Sequence, residues 1–319
     1  MTQSIAYRGE GIRTVAVIGC GLIGGMWAAA FLYRGLNVRA WDPAPDGEQR
    51  LAALVEDGLR DLEALGGAGG VRGALTWCTS WAEAIAAADY VQENAPEKIS
   101  LKQELLAGID AALPVDVVIG SSTSSFPASA LQVRCANPQR VIVAHPFNPP
   151  HLVPLVELVG GDKGAPGAVD AAYGFFERIG KAPVRVAHEA VGHLANRLNA
   201  ALWREAVNIV AEGIASVEDV DRAVRHGPGL RWAIDGPHML FHLGGGEGGL
   251  RAYIDHLGPA QEARWASLGS PRLDEETKRK LVEGMDAEVA GRSVDELKAR
   301  RDRLLIGVLR LMADDAAGR

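Results

Sequence analysis

At 319 residues the chain is longer than one hydrophobic core usually serves, so two domains are expected. Hydrophobic residues make up 48% and charged residues 23%, ordinary globular usage, and no apolar run approaches the ~20 residues of a membrane-spanning helix. A net charge of −7 argues against a general electrostatic grip on nucleic acid or anionic lipid, so any phosphate has to be held locally.

The opening stretch MTQSIAYRGEGIR has no continuous apolar core. Neither a secretory signal nor a transit peptide is expected, which makes the cytoplasm the default location. Apolar runs at 14–19 (TVAVIG), 37–42 (NVRAWD), 90–94 (YVQEN), 117–121 (VVIGS) and 140–145 alternate with stretches of helical character. That alternation predicts an α/β fold of the Rossmann type, a doubly wound sheet of parallel βαβ units. From about residue 188 the β-rich runs stop, and an all-helical second domain is expected over 188–319, after a first domain over 1–187. Leu198, Leu202, Ala206 and Ile209 recur at helical spacing. Ser216 with Asp219 reads as a capping start to a helix that Gly227 ends, and Ser293 with Glu296 opens another. In that last helix Leu297, Leu304, Leu305, Val308 and Leu311 form an apolar stripe suited to core packing or to a subunit interface. The glycine-rich segments 66–73 and 244–249 read as loops. Cys20, Cys78 and Cys135 stand apart with no CxxC spacing, so neither a disulfide framework nor a metal site is expected, and small buried side chains are the plainer reading.

The first strand runs into Gly19-Cys20-Gly21-Leu22-Ile23-Gly24, a GxGxxG at the entry to a helix. Its glycines suit a tight turn, close approach of a pyrophosphate and close packing of helix on strand, with the helix N-terminus facing the anion. Glycines mark turns in any protein, so the motif alone is weak. Asp42, about twenty residues on at the end of the next strand, sharpens it: a carboxylate there accepts from a ribose hydroxyl and repels a 2′-phosphate. NAD rather than NADP is the expected cofactor.

Residues 140–161, RVIVAHPFNPPHLVPLVELVGG, place His145 at the end of one apolar run and Glu157 inside the next. In a doubly wound sheet the ligand crevice lies at the carboxyl ends of the strands. Oxidising an alcohol by hydride transfer needs a base for the hydroxyl proton, and imidazole suits this near neutral pH. Glu157, flanked by Leu155, Val156, Leu158 and Val159, would be buried and would need a partner, which the imidazole supplies. A lone strand histidine is otherwise a satisfied core residue.

The set VIGCGLIGG, SSTSSF, AHPFNPP with LVELVGG, and GHLANRL resembles the 3-hydroxyacyl-CoA dehydrogenase superfamily over residues 13 to 250. The resemblance implies an NAD-binding domain followed by a helical domain that completes the active site and usually dimerises. At matching positions it implies His145 as general base, Glu157 as its partner, and Ser124 and Asn196 as neutral donors to the substrate oxygen. It also implies Glu97 and Lys102 as cofactor contacts; without it they read as a surface pair at a helix start, and Ser124 and Asn196 as caps.

Several motifs depart from the thioester-using members, which show NTSS, HFFNP and a PMGPF run where this chain has SSTSS, HPFNP and GPGLRWAIDGPHML. Residues 47–63 carry Glu48, Glu56, Asp57, Asp61 and Glu63 against Arg50 and Arg60, a poor surface for the 3′-phosphate of CoA. HPFNP and GLRWAxxGP are similar to the branch containing L-gulonate 3-dehydrogenase (the lens λ-crystallin relative) and L-carnitine dehydrogenase. The expected partner is therefore a small free 3-hydroxy acid or its 3-oxo acid. Arg231 is a candidate clamp for its carboxylate, and Trp232 a candidate face for an apolar or cationic substituent. An acyl-CoA substrate is the second reading, and a catalytically idle NAD-binding structural protein the third.

Overall fold

The computed structural model describes residues 5–66 and 71–317, so positions 67–70 of the glycine-rich 66–73 stretch lie outside the described residues. Two compact units result, Met1–Arg197 and Leu198–Arg319.

The first unit is built on one sheet. Its strands are β1 (Thr14–Ile18), β2 (Asn37–Trp41), β3 (Leu75–Trp77), β4 (Tyr90–Glu93), β5 (Val118–Ser121), β6 (Val141–Pro146), β7 (Leu155–Val159) and β8 (Ala182–Arg185). They lie in the order β3-β2-β1-β4-β5-β6-β7-β8. The first six are mutually parallel, in the 3-2-1-4-5-6 order of a dinucleotide-binding sheet. β7 then runs antiparallel to β6, and β8 parallel to β7.

The crossing helices are α1 (Leu22–Tyr33), α2 (Gly47–Leu65), α3 (Trp81–Ile85), α4 (Ile99–Ala112), α5 (Ala128–Leu131) and α6 (Pro166–Arg178). Strand periodicity divides the apolar side chains between two cores. Val15, Val17, Ile142, Ala144, Val156 and Leu158 pack with Trp27 and Phe31 of α1 and Phe175 and Phe176 of α6. Ala16, Ile18, Val91, Ile119, Val141, Val143 and Val159 pack on the opposite face with Leu106 and Ile109 of α4 and Leu131 of α5. Covered on both faces, these strands are near-continuous apolar runs, as a parallel sheet requires.

A buried ion pair locks the start of β6. Arg140 and Asp110 are both fully buried, with the guanidinium Nε 2.7 Å from Asp110 Oδ1. The same guanidinium donates to the carbonyls of Asp110, Leu113 and Pro114. Cys20 and Cys78 are buried and Cys135 half-buried, and all three are free thiols. Burial pushes the Cys20 thiol up to about 12.

From α7 (Ala195–Ala211) onward the chain is helical: α8 (Val217–His226), α9 (Pro228–Trp232), α10 (Pro237–Gly244), α11 (Gly249–Ala266), α12 (Glu275–Val289) and α13 (Val294–Ala317). Ser216 caps α8 through the Asp219 amide, and Gly227 follows its last residue. Ser293 and Glu296 form a reciprocal capping box. The segment 244–249 is tighter than an open loop, being one short 3-10 turn between α10 and α11. The buried side of α7 is made by Val207 and Val210, whereas Leu198 and Leu202 of the expected stripe are exposed. In α13 Ile306 is buried while Leu304, Val308 and Leu311 face solvent, so the single chain does not use that stripe as core. No helix among the described residues is long and apolar enough to cross a membrane.

Candidate active site

β1 ends in the glycine turn. Gly19 has φ +91°, and a Cβ there would stand 2.7 Å from the Asn94 carbonyl carbon, so conformation and space both require glycine. A Cβ on Gly24 would meet the Gly19 carbonyl oxygen at 1.9 Å, which keeps α1 close over the turn. Around Gly21, by contrast, a Cβ would meet no atom within 4 Å. The amides of Leu22, Ile23 and Gly24, in the first turn of α1, have no i−4 carbonyl within the helix and give it a positive end. Open space at Gly21 before a positive helix end is the cradle a dinucleotide pyrophosphate needs, so the chain's own residues fit NAD.

A crevice of about 530 Å³ continues from this turn, bordered by Gly21, Asp42, Arg50, Asn94, Pro96 and Leu101 among others. Asp42 accepts from the Cys20 amide at 2.7 Å and the Ala44 amide at 2.9 Å, so the end of β2 is tied to the glycine turn. The Arg50 guanidinium lies 3.7 Å from the same carboxylate.

Lys102 stands differently from the expected cofactor contact. It is buried, with its ammonium 2.9 Å from Glu93 Oε1 and 3.0 Å from the Ala95 carbonyl oxygen. An ammonium enclosed this way neutralises Glu93 and supports the 93–97 turn from below; it has no surface left for a ligand. Glu97 is the member of the pair that reaches the site loop. It accepts from the Thr123 hydroxyl at 2.6 Å and from the Ser124 and Ser125 amides at 3.1 and 2.9 Å. Burial opposes ionisation of Glu97, but the Thr123 hydroxyl, the Lys102 charge and the Ser125 amide together hold it below the usual carboxylate range. Ser124, on the loop so fixed, is exposed.

His145 and Glu157 are brought together. They are register partners across β6 and β7, on the face that also carries Val143 and Val159. His145 Nδ1 is 2.8 Å from Glu157 Oε2. A carboxylate accepts, so Nδ1 carries the proton and the Nε2 lone pair is free to act as a base. The other carboxylate oxygen accepts from the Leu194 and Ala195 amides at 2.7 and 2.8 Å, where the chain enters α7. Burial raises Glu157, but His145 and these two amides outweigh it and leave the carboxyl below its ordinary value. Asn196 follows directly in α7 and is half-buried. Arg231 and Trp232 stand on α9 of the second unit, both exposed.

Two features went unread in the sequence. Ser122 Oγ is the hub of a network that receives Gln92 Nε2 at 2.7 Å and Trp27 Nε1 at 3.3 Å and donates to Asn94 at 2.7 Å. His193 is buried against His145, their ring centroids 5.1 Å apart. Neither has a periodic signature; the local hint is that Ser122 lies within SSTSSF and His193 within GHLANRL, two of the motifs that carry the family resemblance.

Residues 14–190 match the NAD-binding domain of 3-hydroxyacyl-CoA dehydrogenase, and residues 192–283 match its C-terminal domain. The chain belongs to the 3-hydroxyacyl-CoA dehydrogenase family. Within that family it is 50% identical over 315 residues to an L-carnitine dehydrogenase of Nocardiopsis dassonvillei, covering 98% of this chain and 96% of that one. An L-carnitine dehydrogenase of Streptomyces coelicolor is 49% identical over 302 residues, 94% of this chain and 95% of that one. Among solved structures, an NAD+-dependent dismutase, 5-formyl-3-hydroxy-2-methylpyridine 4-carboxylic acid 5-dehydrogenase, superposes with a TM-score of 0.82 at 30% identity. The match covers 95% of this chain and 99% of that one. The first unit thus carries the NAD-binding body of this family, and the glycine turn lies within it.

Proposed function

We propose that the chain is an NAD-dependent dehydrogenase that oxidises the secondary hydroxyl of L-carnitine, a small free 3-hydroxy acid, to the 3-oxo acid. The observation that carries this reading is the buried His145–Glu157 pair, whose orientation leaves the imidazole Nε2 as the open base. Near-whole-length relatedness to L-carnitine dehydrogenases supports the choice of acid. NAD, when bound, supplies the hydride acceptor.

His145 takes the hydroxyl proton at Nε2 while Glu157 stabilises the imidazolium that forms. The Ser124 hydroxyl and the Asn196 amide are neutral donors for the oxygen as it becomes a carbonyl. Gly19, Gly21, Leu22, Ile23 and Gly24 hold the pyrophosphate, and Asp42 the adenosine ribose. Arg231 and Trp232 are assigned to the substrate carboxylate and its cationic end. The working form is a homodimer built on the second unit, which leaves Trp203, Leu230, Ile254, Trp265 and Leu311 exposed in a single chain. The cytoplasm is its location.

An acyl-CoA substrate is disfavoured by α2. Both arginines of that helix stand beside acids, Arg50 by Asp42 and Asp46 and Arg60 by Asp57, so the helix offers a nucleotide 3′-phosphate a net acidic surface. The test is steady-state NADH formation with L-carnitine, L-gulonate, 3-hydroxybutyrate and 3-hydroxybutyryl-CoA. Fastest turnover of L-carnitine is expected. Preference for the thioester would overturn the free-acid assignment, and NAD binding without turnover of any of the four would favour a structural role.

A further inference from the structure

His193 sits between the two halves of the site. Its Nε2 is 3.3 Å from the Thr123 carbonyl oxygen. A carbonyl only accepts, so this nitrogen donates and Nδ1 keeps its lone pair. Nδ1 is buried with no hydrogen-bond partner among the described residues. The ring lies beside that of His145, with centroids 5.1 Å apart and planes inclined at 44°. On the backbone side, His193 immediately precedes Leu194 and Ala195, whose amides hold Glu157.

These contacts close a circuit. It runs from His145 to Glu157, from Glu157 to the Leu194 and Ala195 amides, through His193 to the Thr123 carbonyl, and so to Ser124. Glu97 anchors the Ser124 loop from one side, and His193 anchors it from the side of the base. The arrangement is costly. His193 adopts φ +50°, a left-handed conformation uncommon outside glycine. It buries an imidazole with one unpaired acceptor, and burial together with the neighbouring His145 holds its basicity below the ordinary histidine range. A leucine or phenylalanine would fill the same space without the orphaned nitrogen. Strain and an unsatisfied polar atom beside a base are features that persist where they serve the site.

We propose that His193 is a positioning residue for this dehydrogenase: its Nε2–H holds the Thr123 carbonyl and its ring abuts His145, which together set the Ser124 hydroxyl relative to the base. This rests on the reading that Ser124 and His145 serve the same substrate oxygen. The test is a double-mutant cycle with His193→Leu and His193→Gln, each in the parent and in the Ser124→Ala background, assayed with NAD and the 3-hydroxy acid turned over fastest. His193→Leu should lower kcat about tenfold or more, the order expected when a reacting group is misplaced, with the KM for NAD unchanged. His193→Gln, which retains an N–H donor, should recover most of that loss. In the Ser124→Ala background His193→Leu should cost no more than about twofold, because the group it positions is gone.

Equal losses in both backgrounds, or a glutamine variant no better than leucine at equal melting temperature, would overturn the proposal while leaving the dehydrogenase assignment intact. Full turnover by Ser124→Ala alone would overturn the proposal together with the role of Ser124.

Discussion

Glu157 stands directly opposite His145 across an antiparallel strand pair, with Oε2 2.8 Å from Nδ1 and Oε1 on two helix-entry amides. The carboxylate thus ties His145 to the start of α7 and places a negative charge beside its imidazole. Glu157→Gln keeps the shape and removes the charge. We expect kcat/KM to fall on the order of 10²-fold or more by steady-state assay, since the imidazolium loses its counter-ion. Glu157→Ala adds a stability loss of about 1–3 kcal/mol for each amide left unsatisfied, measurable by denaturant unfolding. Unchanged kcat/KM in the glutamine variant would remove the pair from the mechanism.

His145→Ala should leave NADH affinity, followed by fluorescence titration, within about twofold while cutting turnover by a factor on the order of 10² or more. A parallel loss of cofactor binding would mean that His145 acts on the fold of the crevice and not on the proton.

Asp42→Ala should weaken NAD and raise relative activity with NADP. The substitution removes the charge proposed to repel a 2′-phosphate and leaves Arg50, 3.7 Å from Asp42, with the exposed Asp46 as its remaining acid and able to turn to that phosphate. Adding Arg50→Leu to Asp42→Ala should then remove the NADP activity gained. The comparison is the ratio of kcat/KM for the two cofactors, and a ratio that does not move in Asp42→Ala would refute the role of Asp42.

Acidification should destabilise the first unit in two stages. His193 has a folded basicity below its ordinary value of 6.5, so the unfolded chain binds the extra proton first and stability falls as pH drops through and below that value. Glu157 and Glu97 are held below their ordinary 4.5, so their contribution is present above that pH and is lost as pH falls through their lower folded values. Thermal melts from pH 8 to pH 3 should show this, and His193→Leu should flatten the upper stage alone.

Arg140→Met should destabilise by about 3–5 kcal/mol, because it strands the buried Asp110 carboxylate and several carbonyls. Urea unfolding measures it. Converting Asp110 as well, to leucine, should recover part of the loss, since the stranded charge is the larger penalty.

Much was legible in the chain before any coordinates. Strand–helix alternation and the GxGxxG turn specified a doubly wound sheet and the glycine turn into its first helix, because local periodicity and glycine sterics act within a few residues. The two capping signals at Ser216 and Ser293 follow the same rule. What only the tertiary structure decided involves atoms far apart in sequence. Lys102 is the nearer case: it turned inward to Glu93, nine positions back, because that carboxylate on β4 is itself buried by the sheet. The stripe Leu304, Val308 and Leu311 remained exposed, since a helix's apolar face does not say what will cover it. His193 came to rest on His145 from 48 positions further along the chain, where packing and not pattern sets the neighbours.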